Sequence, residues 1–81
     1  AMTAQLARQL APNVRVNAVA PGAVLPPPGW SDEAQRRFVA STPLQRLGSP
    51  DDVADAVVFL VAATYITGVV LPVDGGRHLG R

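Results

Sequence analysis

Eighty-one residues suffice for one small domain, although a chain of that size buries only about 60% of its unfolded surface and is marginally stable. Seven arginines and no lysine against six acids leave a formal charge of +1, too small and scattered for a nucleic-acid footprint, and exclude any Schiff-base, P-loop or Tyr-Lys chemistry supplied from within. With no cysteine and one histidine, His78, disulfides and thiol catalysis are excluded, no metal site or Ser-His-Asp triad is expected, and a reducing, cytoplasmic setting fits.

Helical patterning is already running at Ala1, with no charged region or cleavage signal of a leader, so the start reads as a cut end. Met2, Leu6 and Leu10 recur at four-residue spacing with Thr3 and Ala7 alongside, which predicts an amphipathic helix. Ala11-Pro12-Asn13 ends it, because Pro12 disfavours helical angles at the preceding residue. Val14, Val16, Ala18, Val19 and Ala20 then form an apolar run suited to a parallel strand covered on both faces. Pro21-Gly22 stops the strand and turns the chain at its carboxyl end, the edge where open α/β sheets bind ligands.

Three consecutive prolines, Pro26 to Pro28, stiffen the following loop, and Ser31-Asp32-Glu33 supplies a cap oxygen and two acids to open a helix that should reach about Ser41. Loop and helix suit a lid over the Pro-Gly turn; alternatively, Trp30 and Phe38 plug the core. Ser49-Pro50-Asp51-Asp52 is the clearest helix start, with a capping serine, proline at the first helical position and an acid closing a capping box. Val53, Val57, Val58, Leu60 and Val61 predict that this helix is largely buried. Tyr65-Ile-Thr-Gly68 turns the chain into a second apolar strand, Val69 to Val73, which Pro72 assigns to an edge or to the strand's own end. Asp74-Gly75-Gly76 closes it before a short tail.

The uncharged stretch from Ala56 to Val73 has the length of a membrane span, but the turn in its middle and Pro72 at its end argue for a helix, a turn and a strand instead. Two strands and a helical crossover are too little sheet to cover these apolar runs. The fold expected is α/β, the C-terminal part of a Rossmann-like doubly wound parallel sheet in the order helix, strand, lid helix, helix, strand, incomplete on its own.

Taken in order, Leu6-Ala-Arg-Gln-Leu-Ala-Pro12, Arg15-Val-Asn-Ala-Val-Ala-Pro-Gly22, Pro43-Leu-Gln-Arg-Leu-Gly48, Asp52-Val-Ala-Asp-Ala-Val57, Tyr65-Ile-Thr-Gly68 and Val73-Asp-Gly-Gly76 resemble the C-terminal portion of a short-chain dehydrogenase/reductase across essentially the whole chain. The Pro-Gly-Ala-Val-Leu-Pro segment before an acidic helix, Thr42-Pro-Leu-Gln-Arg46 and a terminal arginine five residues beyond Gly76 are most similar to the pteridine reductase type. A general carbonyl or 3-oxoacyl-thioester reductase shares most of these blocks.

That resemblance implies a single domain whose C-terminal segment is residues 1–81, with a substrate loop at about 23–47, and whose catalytic Tyr-x-x-x-Lys pair and glycine-rich nucleotide turn lie upstream, in the absent N-terminal half. No catalytic residue is expected here, and the isolated segment should be inactive; Tyr65 has no lysine partner and occupies a turn position. Pro21, Gly22, Ala23 and Val24 match the turn and backbone that meet the nicotinamide of NADPH. A threonine common at the position of Pro26, and a serine frequent at Val24 in pteridine-type members, are both missing, which shifts cofactor contacts to the main chain.

Leu25, Pro26, Trp30 and Phe38 match the substrate side, where a flat pterin or folate-like heterocycle could stack. Arg81 matches a terminal arginine that reaches a neighbouring subunit's pocket, or is simply a disordered end. Asp74 and Asn17 read as structural. The buried helix and last strand match tetramer-forming surfaces, so the partners implied are the upstream half, a small-molecule substrate and further copies in a homotetramer, with no nucleic acid or membrane. The stretch from Val61 to Tyr65 is shorter than the family pattern leads us to expect. A reading from another class is a non-catalytic, self-associating module.

Overall fold

A computed structural model describes residues 1–23 and 28–80. The elements follow in the order α1 (Met2–Leu10), β1 (Ala18–Pro21), α2 (Asp32–Ser41), α3 (Pro50–Ala62) and β2 (Val70–Val73), and a 3-10 turn at Arg77–Leu79 ends the chain. Among the described residues β1 and β2 form one parallel two-stranded sheet, in the register Ala18 to Val70, Val19 to Leu71, Ala20 to Pro72 and Pro21 to Val73. Parallel neighbours need a long crossover, and α2 and α3 supply it. The architecture is the expected partial Rossmann-like α/β arrangement.

Local chemistry explains where the elements begin and end. Ser31 caps α2 by accepting from the Ala34 N–H at 3.0 Å. Ser49 and Asp52 form the reciprocal capping box of α3, with Pro50 in its first turn. At the end of α1, Ala11 is extended ahead of Pro12. The first strand is shorter than its apolar run: Val14 to Asn17 precede the ladder, Val14 donating back to Leu10 O and Val16 and Asn17 being held by the turn before β2. Val16 donates its N–H to Thr67 Oγ1 and accepts from Gly68, while Asn17 bonds Ile66 O and Val69 N through its amide. Pro21 does not stop the strand but is its last paired residue, and the chain leaves the ladder after Gly22 donates to Val73 O.

Burial differs from the pattern in two places. In α1 the buried residue is Ala7, 4% exposed and packed over Gly68, whereas Met2, Leu6 and Leu10 are exposed. In α3 only Leu60 is buried, at 7%, and Val57, Val58, Phe59 and Val61 are exposed, so the helix is not largely buried within this chain. The physical reason is area: a two-stranded sheet offers one narrow strip for α3 to cover, and the other apolar rows have nothing to pack on. No helix among the described residues is long and apolar enough to cross a membrane.

Candidate functional site

Both strands end on the same edge of the sheet, and the turns that follow them meet there. Gly22 lies so close to the second turn that a Cβ on it would stand 2.8 Å from both Cα and Cβ of Asp74. This contact, not an unusual backbone angle, is what demands glycine. The next residue, Ala23, accepts a 3.0 Å hydrogen bond from Gly48 N–H, which ties the turn to the start of α3. A cleft of about 420 Å³ opens at this edge, with Ala23 and Val73 at the strand ends, Phe38 and Thr42 from α2, and Asp52 and His78 on its polar side.

Two acids of the cleft are held by local partners. Arg46 donates to the Asp52 carboxylate through both terminal guanidinium nitrogens, at 3.0 and 3.3 Å, and Ser49 donates to it from backbone and hydroxyl. Arg46, and after it the Ser49 bonds, hold the Asp52 carboxyl far below the usual carboxylate range. Asp74 accepts from the backbone N–H of Gly76 and of His78 and faces the His78 ring at 3.0 Å. The ring and these N–H groups lower the Asp74 carboxyl from its ordinary value. Its carboxylate shapes the turn that closes β2.

The aromatic residues do not plug a core. Trp30 is exposed and Phe38 half-buried, and their rings meet at 5.3 Å with a 55° tilt beside the cleft. Arg77 lies on the Phe38 ring, its guanidinium carbon 4.1 Å from the centroid. Of the expected site residues, Pro21, Gly22, Ala23 and Phe38 come together at the strand ends, with Trp30 against Phe38, whereas Val24, Leu25, Pro26 and Arg81 lie outside the described residues. Tyr65 is fully exposed in the turn after α3, at the opposite edge of the sheet from the cleft.

Three arginines carry structure that the pattern of the chain did not reveal. Besides Arg46 and Arg77, Arg15 reaches from the start of the strand segment to the end of α3, where its guanidinium donates to the carbonyls of Leu60, Val61, Ala63 and Ile66. Leu60 and Val61 offer last-turn carbonyls of the helix, which have no amide of a following turn to pair with, and Ala63 and Ile66 belong to the turn that leaves it. The one available signal is that α3 has no base in its own last turn.

Comparison with known proteins turns this geometry into a family. Residues 1–78 match the family model described as Enoyl-(Acyl carrier protein) reductase. The chain belongs to the short-chain dehydrogenase/reductase family. Among the relatives, protein FixR of Bradyrhizobium diazoefficiens is 47% identical over 96% of this chain and 29% of its own length. The 3-oxoacyl-[acyl-carrier-protein] reductase FabG of Aquifex aeolicus is 48% identical over 91% of this chain and 32% of its own. The crystal structure of FolM alternative dihydrofolate reductase 1 from Brucella suis in complex with NADP superimposes with a TM-score of 0.87 at 39% identity, covering 99% of this chain and 32% of that one. The chain thus spans about a third of the length of the curated relatives it matches.

Proposed function

We propose that these residues are the C-terminal segment of an NADPH-dependent reductase that acts on a pterin or dihydrofolate. The observation that carries this reading is the cleft at the carboxyl ends of β1 and β2, lined by Ala23 after the Gly22 turn and by Phe38 of α2. Likeness to an NADP complex of a dihydrofolate reductase supports it.

The residues present fit a nicotinamide. Gly22 keeps the turn free of side-chain bulk against Asp74, and the Ala23 carbonyl retains a second lone pair beyond its bond to Gly48 for a carboxamide donor. When bound, the nicotinamide supplies the hydride for reduction of a C=N bond. This segment's part is to bind and orient: Pro21, Gly22, Ala23 and Val24 bound the cofactor side, and Leu25, Pro26, Trp30 and Phe38 the substrate side. The role this reading gives Arg81 is a contact to the substrate pocket of a neighbouring subunit in a homotetramer. The proton donor lies outside these residues, which contain no lysine and only the displaced Tyr65.

A second reading, reduction of a 3-oxoacyl thioester, is favoured by the similarity to FabG. The intact polypeptide that carries these residues decides between them. NADPH oxidation is followed with dihydrobiopterin, dihydrofolate and an acetoacetyl thioester, and repeated with NADH. Faster turnover of the pterins with NADPH is the expected result. Preference for the thioester would install the second reading, and activity confined to NADH would remove the cofactor assignment.

A further inference from the structure

The end of α2 is held by residues more than thirty positions downstream. Leu44 donates its N–H to Gly75 O at 3.0 Å, and a Cβ on Gly75 would stand 2.8 Å from Thr42 Cγ2. Thr42 is 1% exposed, the most enclosed side chain among the described residues. Beyond this seam, one guanidinium nitrogen of Arg77 donates to Ser41 Oγ at 2.7 Å and, more distantly, to Thr42 Oγ1 at 3.4 Å and Phe38 O at 3.5 Å. The rest of the group lies over the Phe38 ring. Helix α2 has two acids in its first turn and no base in its last, so its carbonyl end is complemented from the far end of the chain.

We propose that Arg77 is a positioning residue: it fixes the carbonyl end of α2 and the plane of the Phe38 ring, and thereby how well the cleft holds a flat substrate. The three acceptors and the ring belong to one turn of helix, so a single planar cation engages both the backbone end and the side chain that lines the cleft. Lysine keeps the charge and a donor but loses the planar group that stacks on the Phe38 ring. The substrate half of this inference rests on the reductase reading; the clamp itself does not.

Hydrogen exchange on the intact protein, comparing wild type with Arg77→Ala and Arg77→Lys, tests the clamp without a substrate. Residues 31–42 should exchange about fivefold or more faster in Arg77→Ala while residues 50–62 keep their protection, and Arg77→Lys should recover part of the loss. Steady-state kinetics and NADPH titration then test the consequence. Substrate KM should rise about tenfold in Arg77→Ala, with kcat and NADPH Kd within about twofold of wild type.

Unchanged exchange in residues 31–42 overturns the proposal, and so does equal loss in α2 and α3, which marks a general stability effect. Loosened exchange with unchanged KM overturns the substrate half. If the wild type turns over neither pterins nor thioesters, the reductase reading fails while the exchange result still decides the clamp.

Discussion

Arg15 shows how one side chain joins distant parts of the chain. It brings four donations to the end of α3 and the turn after it, where the last-turn carbonyls of Leu60 and Val61 have no amide of a following turn to pair with. A hydrogen bond from a charged group contributes more than a neutral one, so Arg15→Ala in the intact protein should cost about 2 kcal/mol, read as a lower urea midpoint at unchanged m-value. An unchanged midpoint would show that water replaces the guanidinium without loss. Gly22 belongs to the same scale: a single absent Cβ lets the turns after β1 and β2 approach within van der Waals distance.

Among the elements, α3 has the best defined start. Its capping box uses Asp52, whose carboxylate also meets Arg46 at 3.0 Å, so cap and ion pair titrate together. The Asp52 carboxyl is held below its ordinary value in the folded state. Its contribution is therefore fully present above the unfolded carboxylate pKa of about 4 and is lost as pH falls through the lower, folded value. Asp74, lowered by His78 and its backbone donors, acts in the same direction. Urea midpoints of the intact protein measured between about pH 6 and pH 3 should fall on acidification, and less steeply in Asp52→Asn. Parallel profiles for the two proteins would remove Asp52 from the account.

For the molecule as a whole, the radius of gyration of 15.3 Å exceeds the roughly 12 Å of a compact chain of this length, and the longest dimension is 48 Å against 22 Å for the others. Val58, Phe59 and Val61 are between 58% and 69% exposed along one helix, a larger apolar display than scattered surface residues produce. On the proposal that these residues complete a larger domain, a peptide of residues 1–81 alone should bind a hydrophobic dye, melt without cooperativity and oxidise no NADPH. A cooperative melt with a defined oligomer mass and no nucleotide affinity would favour the self-associating module instead.

What was legible in the sequence was local or periodic. Ser49-Pro-Asp-Asp spells its own helix start, Ser31-Asp-Glu another, and Pro12 an end, because caps and proline act within a few residues of themselves. The order of elements follows from the same signals, whereas the meeting of the Gly22 turn with Asp74 at the last strand's end does not. Burial was not legible in this way. The valines of α3 predict a covered helix, yet whether they are covered depends on how much sheet stands beside them, which no window of α3 contains. Nor were the arginine contacts, since Arg15 to Val61 and Arg77 to Ser41 join residues 46 and 36 positions apart. The sequence by itself determined the order of the elements, the helix ends and the family resemblance, through interactions that span one or two turns, whereas the ends of β1 were set by its pairing with β2. Only the tertiary structure decided which cation meets which helix end and which apolar faces stay open, because both depend on distances set by the packing of the whole chain.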